Sequence, residues 1–160
     1  MEAWTATYYY NTNLKAERYE YDEGQMDQMC WASGTKFWQK NKCNVIYASD
    51  GYIYVEFPTQ SYCCQCTNSF GAVKYDWLQN SKYVGRETIN GTQADHWVKD
   101  GNPNLGPMPN NYWATVGEQL PVRFYENSTS QYKDIVYDLS TYKKGPLDNS
   151  LFAPPANCKT

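Results

Sequence analysis

The residues best equipped for chemistry in this chain are six cysteines, Cys30, Cys43, Cys63, Cys64, Cys66 and Cys158. As thiolates they would ligate metal or act as nucleophiles; as oxidised pairs they would cross-link the chain. Their even number, together with two Asn-x-Thr acceptors, Asn90-Gly91-Thr92 and Asn127-Ser128-Thr129, points to disulfides in an oxidising, extracellular setting, with Asn90 and Asn127 as glycosylation candidates. Adjacent Cα atoms stand about 3.8 Å apart, below the usual disulfide window of about 4.4 to 6.8 Å, so Cys63 and Cys64 are not expected to bond to each other. On a strand they would face opposite sides and reach different partners. Two arrangements stay open: the 63, 64, 66 cluster pairs one to one with Cys30, Cys43 and Cys158, or Cys64 bridges Cys66 in a tight turn. The rival is a thiolate metal site at Cys63-Cys64-Gln65-Cys66. Zinc sites normally use two separated ligand pairs, and the one histidine, His96, stands in no ligand spacing, so no metal ligand is assigned.

Other chemistry finds little support. A nucleophile needs a base poised near neutral pH, usually histidine, and His96 lies within an expected strand, where packing is the commoner role. Cys30-Trp31 has the dipeptide of a papain-type nucleophile, but Asp27-Gln28-Met29 do not continue that motif. Paired carboxylates could hydrolyse glycosides, and Asp22, Glu23, Asp27, Glu56, Asp76 and Glu87 are available, although 17 acidic residues supply such candidates by chance. Asp22, Glu23 and Asp27 could offer oxygens to calcium, without the Asp-x-Asp-x-Asp-Gly loop that would specify it. No catalytic residue is assigned, and a non-catalytic protein is expected.

The elements that must position these residues read as strands separated by turn residues, the pattern of an antiparallel meander. Trp4 to Tyr10 meets Leu14 to Tyr21 across Asn11-Thr12-Asn13. Cys43 to Ala48 and Tyr52 to Phe57 flank Asp50-Gly51, and Lys82 to Ile89 and Gln93 to Lys99 flank Asn90-Gly91; both dipeptides supply the positive φ of a hairpin turn. Asp100 to Asn110 is a Gly/Pro/Asn-rich loop. Tyr112 to Val116, Leu120 to Tyr125 and Tyr132 to Leu139 complete the strands. Met26 to Gln39 and Asp76 to Asn80 hold a helical turn or two at most, and the tail from Pro146 to Cys158 is expected to run extended.

The 160 residues fit one domain, residues 1–160. Its apolar surface is carried by 6 Trp, 16 Tyr and 5 Phe, residues that favour β structure. A net charge of −3 leaves no basic excess for a phosphate backbone, which argues against nucleic acid. No apolar run approaches the ~18 residues of a membrane-spanning helix. Met1 to Tyr10 lacks a signal peptide's charged start and apolar run, the reading of a chain already trimmed.

The tail Asp148-Asn149-Ser150-Leu151-Phe152-Ala153-Pro154-Pro155-Ala156-Asn157-Cys158 resembles the closing motif of ependymin-related proteins, in which Phe and Pro-Pro precede a final cysteine. Tyr8 to Asp22 resembles that family's opening hairpin, and Cys43 to Cys66, with Asp50-Gly51 inside, its cysteine-flanked strand pair. Trp77-Leu78, Asn80, Tyr83-Val84-Gly85, Asn90-Gly91 and Trp97 resemble its middle section. The resemblance implies an extracellular glycoprotein with a curved antiparallel sheet or half-open β-barrel, similar to bacterial lipoprotein carriers, around an apolar pocket. It also implies dimers, association with calcium, lipid-like ligands and extracellular matrix, and a bridge from Cys158 to the cysteine cluster. This chain departs from the family in its length, its Cys63-Cys64 pair and its tyrosine content.

Two functions follow as expectations. The first is a carrier of an apolar or lipid-like molecule, or a matrix-binding protein, with pocket walls at Val45, Tyr47, Ile53, Val55, Phe57, Val84, Trp97, Trp113, Val122, Phe124, Ile135 and Tyr137. The second is a structural subunit of an extracellular assembly. There Tyr8-Tyr9-Tyr10 would place rings on both faces of one strand, and strand edges would add to a neighbour's sheet.

Overall fold

A computed structural model describes residues 4–68, 72–74, 76–101, 109–127 and 132–158. The chain is mostly β and forms two antiparallel five-stranded sheets, neither closed into a barrel. Contacts divide it into two compact units, Met1–Tyr75 with Pro146–Thr160, and Asp76–Gly145.

In the first unit β1 (Ala6–Asn11), β2 (Ala16–Tyr21), β3 (Cys43–Tyr47), β4 (Tyr52–Phe57) and β5 (Tyr62–Asn68) follow one another in chain order across the sheet. The β3–β4 hairpin turns where expected, with Gly51 at φ +87°. Strand alternation then sorts the side chains. Tyr21, Cys43, Val45, Ile53, Val55 and Phe57 share a buried cluster with Cys30, covered by Met26, Met29, Phe37 and Trp38. The covering segment carries a 3-10 turn at Gly24–Met26 and a short helix α1 (Gln28–Ala32), whose Asp27 cap accepts from the Met29 amide at 2.7 Å. The opposite face buries Ile46, Ala48, Tyr54 and Cys63, with Cys158 of the tail packed against them. The tail is not wholly extended: Asn149–Phe152 forms a 3-10 turn because the Asp148 carboxylate accepts from the Ser150 amide at 2.9 Å. Phe152 is thereby buried, and the Leu151 carbonyl accepts from Arg18 at 3.2 Å.

All six cysteines are paired: Cys30 with Cys43, Cys63 with Cys158, and Cys64 with Cys66. Cys63 and Cys64 reach different partners, and the cluster does contain an internal bridge, set in a strand and not in a tight turn. That strand, β5, is the element the sequence leaves unannounced, since Tyr-Cys-Cys-Gln-Cys-Thr-Asn has no apolar alternation.

In the second unit the order is β10 (Tyr132–Val136), β9 (Pro121–Asn127), β8 (Pro109–Thr115), β7 (Thr92–Asp100), β6 (Lys82–Ile89). Asn90 (φ +46°) and Gly91 (φ +81°) form the expected hairpin turn, with two positive φ angles in succession. Strand β10 is shorter than its apolar pattern, because Leu139–Thr141 turns into a 3-10 segment capped by Asp138. Asp76 to Asn80 is a turn closed by Gln79 N donating to Asp76 O at 2.8 Å. Most of the loop from Asp100 to Asn110, and Ser128 and Thr129 of the second acceptor triplet, lie outside the described residues.

Candidate binding face

The second sheet sets one aromatic or branched residue of each strand in a single row. The pairing register places Tyr83 opposite Trp97, Trp97 opposite Tyr112, Tyr112 opposite Phe124, and Phe124 opposite Ile135. Directly paired residues point to the same side, so the five side chains line one face from one edge of the sheet to the other. Four strand spacings of ~4.8 Å make the row about 19 Å long. Tyr83 and Trp97 pack with ring centroids 4.9 Å apart, and Trp77 meets Tyr112 and Phe124 edge-on at 5.3 and 6.1 Å. None of the five is fully buried, and Tyr83 keeps 48% of its surface exposed. A row so apolar and so incompletely covered differs from the packed face of the first sheet, where Val55 and Phe57 are 0% exposed.

The electrostatics around the row are those of a dry surface with a charged end. Burial pushes the Tyr112 phenol up to about 12. Among the described residues the Trp97 indole Nε1 is buried without a hydrogen-bond partner, an uncommon state for a donor. At the β6 end, Asp95 accepts from Arg86 Nε at 2.9 Å and from the Tyr83 hydroxyl at 3.2 Å, and the guanidinium holds this carboxyl below the usual carboxylate range.

The twelve residues expected to wall one pocket are distributed over several places. Val45, Ile53, Val55 and Phe57 are core residues of the first unit, and Tyr47 packs against them. Trp97, Phe124 and Ile135 stand in the row. Val84, 53% exposed, is the extra residue of a bulge on edge strand β6. Trp113 turns to the opposite face, its ring stacked on His96 at 4.1 Å and its Nε1 donating to Glu87 at 2.7 Å. Val122 would share the Phe124 face by simple alternation, but it is also a bulge residue and packs with Ala94 and Trp113. Val122 and Tyr137 border a separate hollow of about 400 Å³, lined also by Ile89, Asn90, Val136 and Leu139. Tyr83, Tyr112 and Trp77 belong to the binding face and were not among the candidates. Choosing Tyr112 over its neighbour Trp113 requires knowing which one pairs with Trp97, and only the register supplies that.

The remaining candidates are engaged within their own units. His96 holds Glu87 Oε1 3.0 Å from Nδ1 and Asn111 Oδ1 3.0 Å from Nε2. Asp27 accepts from the Tyr21 hydroxyl at 2.9 Å, Asp22 lies 3.8 Å from Lys42 Nζ, and Glu23 contacts Gln25. Among the described residues no three metal-binding side chains converge. Tyr8, Tyr9 and Tyr10 do alternate across β1. Tyr8 stacks on Tyr19 at 4.6 Å and donates to Glu17 at 2.9 Å, Tyr9 donates to Glu20 at 3.3 Å, and Tyr10 donates to the Val73 carbonyl at 2.7 Å. Asn90 is exposed on its turn.

The sequence matches no protein-family model, and no curated protein matches it. Among the described residues no helix is long and apolar enough to cross a membrane.

Proposed function

We propose that this is a secreted, non-catalytic, disulfide-bonded glycoprotein that binds a long, narrow, apolar molecule of lipid-like character along the aromatic row of its second sheet. The observation that carries the reading is the alignment of Tyr83, Trp97, Tyr112, Phe124 and Ile135 on one face with none of them fully buried. Apolar walls with few polar groups are the usual composition of small-molecule sites, and a row about 19 Å long suits an extended hydrocarbon better than a compact ring. The tail's resemblance to ependymin-related proteins agrees with such a ligand, and the disulfides agree with an extracellular setting. The exposed Asn90 turn is the glycosylation acceptor in this reading. The test is native mass spectrometry of the secreted protein, followed by titration with a fluorescent long-chain fatty acid. Retained or acquired guest, displaced by Trp97→Ala with Phe124→Ala, supports the reading. Failure of the wild-type protein to take up the probe, or equal uptake by the double variant, overturns it.

A second reading, self-assembly into an extracellular layer or filament, draws on the outer strands of the same sheet. Edge strand β6 exposes Val84 at 53%, and edge strand β10 exposes Tyr132 and Val136 at 55% and 53%. Exposed edges with apolar side chains are templates for further strand pairing. A strictly monomeric native mass at high concentration with calcium present would exclude it.

A further inference from the structure

We infer that the Cys64–Cys66 bond is a thiol–disulfide exchange site, opened and closed by thiol reagents while the other two bridges stay shut. Three observations converge on it. The first is the small loop that it closes. The three bonds span sequence separations of 13, 95 and 2 residues, and a cross-link stabilises a fold more the longer the loop it closes. Cys64–Cys66 therefore adds the least to the fold, and the fold resists its reduction the least.

The second is the shape of the strand. In a regular strand two residues span about 6.6 Å, yet these Cα atoms are 5.3 Å apart. The pairing register shows how β5 accommodates this: Tyr54 faces Gln65 and Ile53 faces Thr67, so Cys66 is the extra residue of a β-bulge. Bond and bulge are one feature, and opening the bond frees the strand to return to even pairing.

The third is access. Cys30 and Cys43 are 0% exposed, and in the third bond Cys63 is 2% exposed while Cys158 is half-buried, whereas Cys64 and Cys66 are both half-buried on β5, an outer strand of its sheet. Only in the Cys64–Cys66 bond do both cysteines keep surface open to an incoming thiolate.

The chemistry needs a dithiol partner. One thiolate of the dithiol attacks Sγ of Cys66, the S–S bond breaks, and its electron pair leaves on Cys64, which takes a proton from water. The second thiol of the reagent, deprotonated, attacks the reagent's own sulfur in the mixed disulfide and expels Cys66 as a thiolate, which is protonated in turn. Two electrons and two protons pass to the protein, and the reagent departs as a cyclic disulfide.

The test is a series of dithiol redox buffers of graded potential applied to the folded protein, quenched by alkylation and mapped by intact-chain fragmentation. The expected result is alkylation of Cys64 and Cys66 at a reduced-to-oxidised dithiol ratio at least tenfold lower than any that opens Cys30–Cys43 or Cys63–Cys158. Near-UV circular dichroism stays native, and amide exchange quickens only around Cys66 and the β4 residues Ile53 and Tyr54 that flank the bulge. In the Cys64→Ala/Cys66→Ala variant this first step disappears while the other two remain. Labelling of Cys63 or Cys158 before Cys64 and Cys66, simultaneous opening of all three bonds, or loss of native dichroism at the first step would each overturn the proposal.

Discussion

Removing the three disulfides one at a time as paired alanine variants should produce unequal losses of stability, in an order set by where each bond closes the chain. In the chain-entropy model, loops of 95, 13 and 2 residues contribute about 4.7, 2.9 and 1.2 kcal/mol. Packing modifies these figures. Cys30, Cys43 and Cys63 have essentially no exposed surface, so each deleted sulfur removes a further ~1 kcal/mol of buried contact. The Cys63→Ala/Cys158→Ala pair should then lose about 5 to 6 kcal/mol, Cys30→Ala/Cys43→Ala about 4 to 5, and Cys64→Ala/Cys66→Ala about 1 to 2. Total stabilities of domains run at ~5 to 15 kcal/mol, so the first two changes consume much of what is available and the third does not. All three bonds lie in the first unit, which makes amide exchange in β3 and β4 across a urea series the appropriate assay. The denaturant slope should also rise most for Cys63→Ala/Cys158→Ala, because freeing the longest loop expands the unfolded chain most. A loss for Cys64→Ala/Cys66→Ala equal to that of the 95-residue loop would refute the loop-length reasoning.

Phe124→Ala should weaken binding of the fluorescent fatty acid by about tenfold, ~1.4 kcal/mol, while Val136→Ala, in the separate hollow, changes it less than about twofold; the reverse order in equilibrium titrations would move the site to the hollow. Stability should fall at high pH. Burial raises the phenols of Tyr21 and Tyr47, with the carboxylates of Asp27 and Glu17 adding to it, and burial with an Asp50 hydrogen bond takes Tyr54 to about 12. The unfolded chain releases these protons near pH 10 while the fold retains them, so stability is intact below about pH 10 and declines from there towards pH 12, which tyrosinate absorbance and circular dichroism recorded together will follow. Gly24→Ala should cost about 1 to 3 kcal/mol in urea unfolding, because a Cβ at this buried position would collide with the Trp38 carbonyl oxygen.

Short-range chemistry accounts for what could be read in advance. Asp50-Gly51 and Asn90-Gly91 announced their hairpins, since few residues other than Gly and Asn accept the positive φ that such turns require. Six cysteines and a tyrosine-rich composition announced a cross-linked antiparallel β protein, and the Cα spacing of adjacent residues correctly kept Cys63 from Cys64. Strand β5 stayed hidden because cysteines, Gln65 and Thr67 give no apolar alternation, and the strand is held by its β4 partner and its bridges.

What only the folded chain decided is which side of each strand faces which neighbour. A slip of one residue exchanges the two faces of a strand, and the bulges at Val84, Val122 and Cys66 introduce such slips at positions where the sequence shows only ordinary residues. Val122 leaves the Phe124 side, Trp113 turns to His96, and Tyr112 takes the place in the aromatic row. The tail's choice of Cys63 depended likewise on where Leu151 and Phe152 settle against the first sheet, a contact more than ninety residues distant along the chain. The composition of the strands is local, but their register is a property of pairs, and it is the register that assembles the binding face.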